Sequence, residues 1–388
     1  MIYLNQAATS YPKPPGVLEA VQACLKEPPA AQFRGGISAG KRDGTGICRE
    51  KLGELLGMAD TERIIFTSGA TEALNQLIGG LDYQGGRILT TQTEHNSVLR
   101  PLKNLEKTRN LPQEIIPCTA DGTILPETVR EYAADGAKVL FINHCSNVTG
   151  RVQDLKTIVQ ICHERGILVI ADLSQSAGCV PVHVDEWELD GVVFTGHKSL
   201  FGMRGTGGYY LRKGIPLMPL KFGGTGRNSS QIEYADDFEY EVGTQNQPGI
   251  ESLRAGVEFI LEQGIGNVVK KEQRLIRKLF LGLKEIPGVR VYGGVPDEDF
   301  GEQASACVQG PALSFRINGL TPSDTAYILQ NSYGILVRTG LHCAPLIHRA
   351  MGTEKYGTVR ISVSYLNEEA EIELLLDAVR EIAGAVNR

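Results

Sequence analysis

Two short segments carry the residue types on which covalent chemistry can be built. In Phe194-Thr195-Gly196-His197-Lys198-Ser199-Leu200 a lysine follows the apolar run Gly191-Val192-Val193-Phe194. In Arg338-Thr339-Gly340-Leu341-His342-Cys343-Ala344-Pro345 a lone cysteine stands beside two potential cations. A strand-end lysine can condense with a carbonyl as a Schiff base, or simply cap a sheet edge in solvent. A thiol with an ordinary pKa near ~8.5 becomes a nucleophile where cations such as Arg338 and His342 favour its thiolate. The plain alternative for Cys343 is a small buried residue in a turn before Pro345.

Other residues fall where they can serve the same chemistry. Asp172 ends the apolar run Leu168-Val169-Ile170-Ala171, where a carboxylate needs a partner such as a pyridinium N–H. Ser68-Gly69-Ala70-Thr71 turns from a strand into a helix, a start that accepts phosphate or is merely capped. Thr195 and His197 can add donors to the same phosphate. His95, after another strand, can stack on a flat cofactor and move protons, or it can be a packing histidine. Gln175 can donate to a phenolate oxygen. Arg360, within Val359-Arg360-Ile361-Ser362, requires an anion: a substrate carboxylate or a structural carboxylate. Schiff-base lysine and nucleophilic thiol together point to pyridoxal 5'-phosphate (PLP) chemistry that takes sulfur or selenium from an amino acid.

Positioning these residues is the task of the elements between them. Strand candidates are 63–66, 87–91, 114–117, 138–143, 167–172, 191–194 and 207–211. Helical patterns at 71–78, 97–106 and 152–164 alternate with them. Several strands are continuous Val/Ile/Leu runs, so both sheet faces are expected to be covered. The alternation predicts an α/β fold with a mostly parallel seven-stranded sheet. Ligands of such sheets sit outside the carboxyl ends of the strands, where Asn147, Asp172 and Lys198 fall. Residues 212–250 read as extended loop, and 250–285 as helix. A smaller α/β C-terminal domain follows, with strands 312–317, 335–338 and 358–363, a helix at 322–330 and a final helix. That last helix has an apolar stripe of Ile372, Leu375, Val379, Ile382 and Val386. The predicted division is a large domain of 15–255 and a small one of 1–14 with 256–388.

Bulk properties narrow the classes further. The 388 residues, 42% of them hydrophobic, suffice for a large core, and a net charge of -6 argues against nucleic acid or an anionic membrane as partner. No apolar run approaches the ~20 residues that span a bilayer, and the first residues lack a signal-peptide pattern. The chain is therefore expected to be cytoplasmic. Its eight cysteines include no CxxC pair, which gives no metal-ligand spacing, and most are expected to be reduced and buried.

The chain resembles the class V aminotransferase family, in its cysteine desulfurase and selenocysteine lyase branch. The motifs are Thr195-Gly196-His197-Lys198, Ala171-Asp172-Leu173-Ser174-Gln175, Ser146-Asn147-Val148-Thr149-Gly150 and Glu241-Val242-Gly243-Thr244-Gln245-Asn246. Arg338 to Ala344 is similar to the second desulfurase group, whose cysteine lies on a short loop. The resemblance implies a homodimer of PLP fold type I. Lys198 would carry PLP, Asp172 the ring nitrogen, Gln175 the phenolate oxygen, and His95 would stack on the ring. Ala70, Thr71, Thr195, His197 and Thr225, the last from the other subunit, would lie against phosphate. Asn147, Arg338 and Arg360 would receive the substrate. The implied reaction releases sulfur from L-cysteine as a persulfide on Cys343, with L-alanine formed. L-selenocysteine is the alternative substrate, another transaminase or lyase reaction the alternative chemistry, and an acceptor protein would take the sulfur or selenium. Departures from the family pattern are Gly202-Met203-Arg204-Gly205 after the lysine, Ala70 where threonine is common, and Gln245 and Gln247.

Overall fold

Alternation along single strands builds the main core. In the strand 137–143, Val139 and Phe141 enter one apolar cluster while Leu140 and Ile142 enter another. Successive side chains of a strand point to opposite faces, so such a run must be covered on both sides. The computed structural model describes residues 1–26, 44–224, 232, 240–294 and 309–386. In chain order the elements are β1 (Ile2–Tyr3), α1 (Pro15–Lys26), α2 (Gly44–Leu56), β2 (Ile64–Thr67), α3 (Ala70–Gly80), β3 (Arg87–Thr91), α4 (Asn96–Arg109), β4 (Gln113–Ile116), α5 (Pro126–Tyr132), β5 (Ala137–Asn143), α6 (Leu155–His163), β6 (Leu168–Asp172), β7 (Gly191–Thr195) and β8 (Gly207–Leu211). They continue with α7 (Gln247–Gln263), α8 (Ile265–Lys284), β9 (Val289–Tyr292), β10 (Ala312–Ile317), α9 (Pro322–Tyr333), β11 (Ile335–Leu336), β12 (Arg338–Gly340), α10 (Pro345–Ala350), β13 (Thr358–Ser362) and α11 (Glu369–Val386).

The seven-stranded sheet runs β2-β8-β7-β6-β5-β3-β4. Strands β4, β3, β5, β6 and β7 are parallel, while β8 is antiparallel to both β7 and β2. This is the mostly parallel sheet that the apolar runs predict. Helices α3 and α4 cover one face with Leu74, Leu77, Val98 and Leu102. Helices α2, α5, α6 and α7 cover the other with Leu52, Val129, Ile158 and Leu253. The chain leaves β3 through α4 on one face and β5 through α6 on the opposite face. The order therefore reverses between β3 and β5, and a crevice opens at their carboxyl ends.

A second, antiparallel sheet, β12-β13-β10-β9, packs Leu313, Phe315, Val359 and Ile361 against α8, α9 and α11. The stripe expected on the last helix is buried from Ile372 to Ile382, but Val386 at its end is 37% exposed. Residues 335–338, expected as one strand, divide between two sheets. Ile335 and Leu336 pair in parallel with β1, whereas Arg338 begins β12 opposite β13. The short strands β1 and β9 escape sequence reading because two to four residues hold too little periodicity. Among the described residues no helix is long and apolar enough to cross a membrane.

One close approach links this scaffold to the site. Gly69 precedes α3 at φ 151°, and a Cβ on Gly207 of β8 would lie 2.6 Å from the Gly69 Cα and 2.7 Å from the Phe194 carbonyl oxygen. Backbone cannot give way as a flexible side chain can. Gly207→Ala is expected to cost about 1–3 kcal/mol by overpacking, read as a lower urea midpoint at unchanged slope. An unchanged midpoint would show that β8 yields to the extra carbon.

Candidate active site

The carboxyl ends of β3, β5, β6 and β7 open into a cavity of about 380 Å³. Lys198 enters it from the turn after β7. Its ammonium has no hydrogen bond to any described residue, and burial lowers its pKa to about 8 against the opposing pull of Asp172. Asp172, at the end of β6, accepts a 2.9 Å bond from Ser174 N at one carboxylate oxygen, and its other oxygen has no partner among the described residues. Gln175 also lines the cavity, with one N–H given to the Ala7 carbonyl at 3.0 Å and the second left over.

His95 caps α4. Its Nδ1 accepts from Ser97 N at 3.1 Å, which places the ring proton of the neutral form on Nε2. Burial, then the charge of Lys198, lowers its pKa to about 4, so the imidazole is neutral at pH 7. His197 is likewise lowered to about 4 by burial and by Lys198, Lys13 and Arg204, and its Nδ1 is buried without a partner among the described residues. Its backbone is pinned: the carbonyl accepts from Ser10 N at 2.9 Å and from Thr9 Oγ1, Ser10 Oγ and Lys13 Nζ at 3.1–3.2 Å. Thr195, Ala70, Thr71 and the Gly69 turn line the same end of the cavity. Thr225 lies outside the described residues.

Across the cavity the second sheet presents two arginines. Arg338 and Arg360 are direct cross-strand partners in β12 and β13, an arrangement that like charges disfavour. Arg360 is 1% exposed, its pKa is lowered to about 9 by burial and then by Arg338, and no carboxylate pairs with it among the described residues. It donates to Asn147 O at 2.9 Å and Asn5 Oδ1 at 3.0 Å, while its Nε has no partner among the described residues. The Asn147 Oδ1 likewise has no partner among the described residues. Such an arginine pair belongs to a site that receives an anion.

Cys343 sits at the rim, on the wall of a groove that shares Thr71, His95 and Ser97 with the cavity. Both His342 and Cys343 adopt left-handed backbone, at φ 50° and 60°. Two bonds hold that strained turn: Asn147 Nδ2 to His342 O and Asn96 N to Cys343 O, each 2.7 Å. Arg338 reaches the sulfur at 3.6 Å. His342 does not supply the second cation that its position in the sequence suggests. Its Nε2 meets Thr358 Oγ1 at 3.1 Å, and burial keeps its pKa well below the usual value. Cys343 is the exposed thiol among the described cysteines. Burial instead pushes Cys118 up to about 11 and Cys162 up to about 12.

The structure thus gathers Lys198, Asp172, His95, Gln175, Thr195, His197, Asn147, Arg338 and Arg360 around one cavity, with Cys343 at its edge. Sequence reading passed over Asn96, Asn143, Asn5 and Arg204. Asn143 was within reach as the polar end of an apolar run. The other three lie in loops or at a helix start whose partners are remote in sequence.

Comparison with known proteins shows the family. The family model for class-V aminotransferases matches residues 2–375. A probable cysteine desulfurase of Methanothermobacter thermautotrophicus is 33% identical over 99% of this chain and 95% of its own. A cysteine desulfurase of Escherichia coli O157:H7 is 27% identical over 98% and 93%. Among solved structures, the apo cysteine desulfurase of Thermococcus onnurineus superposes with a TM-score of 0.84 at 28% identity, covering 99% of this chain and 95% of that one. The cysteine desulfurase CsdA (S-sulfonic acid) of Escherichia coli gives 0.86 at 25% identity over the same shares. With a family match of this extent, the chain belongs to the class-V aminotransferases.

Proposed function

We propose that this protein is a PLP-dependent cysteine desulfurase that converts L-cysteine to L-alanine and keeps the sulfur as a persulfide on Cys343. The observation that carries this reading is an exposed thiol, held on a strained turn beside Arg338, at the rim of a cavity that contains a lysine without a hydrogen-bond partner. The class-V family implies PLP, and the unsatisfied groups of the cavity fit it. Lys198 would hold the aldehyde carbon, the free oxygen of Asp172 the ring N–H, and the second N–H of Gln175 the phenolate oxygen. Phosphate would lie between the start of α3 and Thr195, His197 and Ala70-Thr71. The neutral His95 would lie over the ring. Thr225 is assigned to the phosphate of a partner subunit in a homodimer.

When bound, PLP supplies an electron sink that makes the substrate Cα–H acidic. The chain's own residues do the rest. Arg360 retains three N–H groups beyond those given to Asn147 and Asn5, enough to grip a carboxylate with Asn147 beside it. Arg338 adds its charge to the same region and to the thiol. Lys198, freed as a neutral amine, takes the α-proton, and the Cys343 thiolate attacks the substrate sulfur. An S–S bond forms, the C–S bond breaks, and its electron pair stays with the carbon fragment, which is protonated from Lys198 or His95. Protein thiol plus cysteine gives protein persulfide plus alanine, so no outside oxidant or reductant is needed. A protein thiol is the expected acceptor in the next step.

Cys343→Ser is expected to retain the visible absorbance of bound PLP while alanine release from L-cysteine falls at least a hundredfold; wild-type turnover in this variant would remove the thiol from the reaction. L-Selenocysteine assayed alongside separates a desulfurase from a selenocysteine lyase. Arg360→Lys loses the two-pronged grip of a charged pair, about 2–3 kcal/mol. A KM for L-cysteine raised roughly 30- to 150-fold follows, with PLP affinity little changed. A KM within twofold of wild type would argue against carboxylate binding there. Lys198 is depressed, so its reactive neutral form grows as pH rises through about 8. Capture of PLP by cofactor-free protein should therefore speed up about tenfold per pH unit below that point and level off above it, as followed by stopped-flow absorbance. A rate that is flat from pH 6 to 8 would contradict the depressed lysine.

A further inference from the structure

Glu94 has no part in the mechanism above, yet it is fully buried at the point where the sheet order reverses. Its Oε1 lies 2.6 Å from Thr91 Oγ1 and accepts from Asn143 N at 2.8 Å, while Oε2 is buried with no partner among the described residues. No cation stands against it among the described residues. The charged group whose field reaches it is Asp172, on the strand beside β5, and His95 follows it in the chain.

Counting hydrogens along the neighbouring side chains fixes its protonation. Asn143 gives its Nδ2 hydrogen to Thr93 O at 2.9 Å, so its Oδ1 is the atom facing Thr93 Oγ1 at 2.7 Å. An amide oxygen only accepts, hence the single Thr93 hydroxyl hydrogen goes there. Thr91 Oγ1, 2.8 Å from Thr93 Oγ1, must then donate to Thr93. With that hydrogen spent, the 2.6 Å contact between Thr91 and Glu94 can be a hydrogen bond only if Glu94 brings the proton. An ionised carboxylate would leave two acceptors facing each other in a buried site with no counter-charge among the described residues.

We propose that Glu94 is a positioning residue kept as a neutral acid, whose O–H begins the donor chain Glu94–Thr91–Thr93–Asn143 and ties the carboxyl ends of β3 and β5 beneath the site. The chain fixes the turn that delivers His95 and the strand end next to Asp172. Its neutrality keeps a second carboxylate charge away from Asp172, which faces the ring nitrogen in the reading given above, on which this functional consequence rests. Burial, reinforced by Asp172, is consistent with it, pushing the carboxyl up to about 8. Glu94 is therefore neutral at pH 7 and ionises on the alkaline side, where its charge would compete with Asp172 and loosen the β3–β5 edge.

Infrared spectroscopy of the purified protein, with and without PLP, tests this directly. In the wild-type-minus-Glu94→Gln difference spectrum a protonated-carboxyl C=O band is expected at pH 7, fading as pH rises through about 8; buried Glu272, whose carboxyl burial also holds well above its usual value, contributes equally to both proteins and cancels. The dissociation constant for PLP should weaken above pH 8 more steeply in wild type than in Glu94→Gln, since Lys198 titrates in both. Thr91→Val, which removes the acceptor, should shift the band to higher frequency, and it serves if Glu94→Gln does not fold. No such difference band at pH 7, a difference band unmoved in Thr91→Val, or identical pH profiles would overturn the proposal. The infrared result in cofactor-free protein does not depend on the desulfurase reading, so failure of one is distinguishable from failure of the other.

Discussion

Burial of charge without an opposite charge is the constraint on which this molecule turns. Lys198, Arg360 and Arg338 converge on one cavity that supplies Asp172 as its acidic counterweight. A protein selected for stability alone would replace such groups with apolar ones of similar volume. They persist because the fold holds them rigidly: β7 delivers the lysine, β13 the buried arginine, and four donors on the His197 carbonyl stop the lysine turn from relaxing. In the proposed function the missing negative charge would come from outside, as phosphate and as the carboxylate of an amino acid. Binding and chemistry both draw on that imbalance.

The same logic explains the cysteine turn. Two consecutive residues with side chains in left-handed backbone are costly, and this strain survives because Asn147 and Asn96 each bind a carbonyl of the turn. Asn147 is thereby shared: its amide nitrogen holds the cysteine turn, its backbone oxygen holds Arg360, and its side-chain oxygen is buried with no partner among the described residues. A substrate that engages Asn147 and Arg360 is coupled to the position of the thiol that would act on it.

Much of this was legible in the sequence, for identifiable reasons. Continuous apolar runs such as Leu168–Asp172 and Gly191–Thr195 declare buried parallel strands, and polar residues at their ends declare a site. Asp172, Lys198 and Asn147 could be placed that way before any fold was known. The orientation of side chains could not. His342 looked like a cation for the thiol but turns to Thr358, and Gln175 spends one of its two N–H groups on Ala7. Whether Arg338 faces Cys343 depended on residues 335–338 splitting between two sheets, a change of partner that a four-residue run does not record. The protonation of Glu94 was out of reach altogether, since it follows from hydroxyl distances between two strands.

The most direct measurement is the mass of the peptide containing Cys343 after one equivalent of L-cysteine is added to the PLP-loaded protein without reductant. A gain of one sulfur atom on that peptide, with a matching amount of alanine, is the expected result. Alanine formed with no sulfur on Cys343, or sulfur found on another cysteine, would contradict the account.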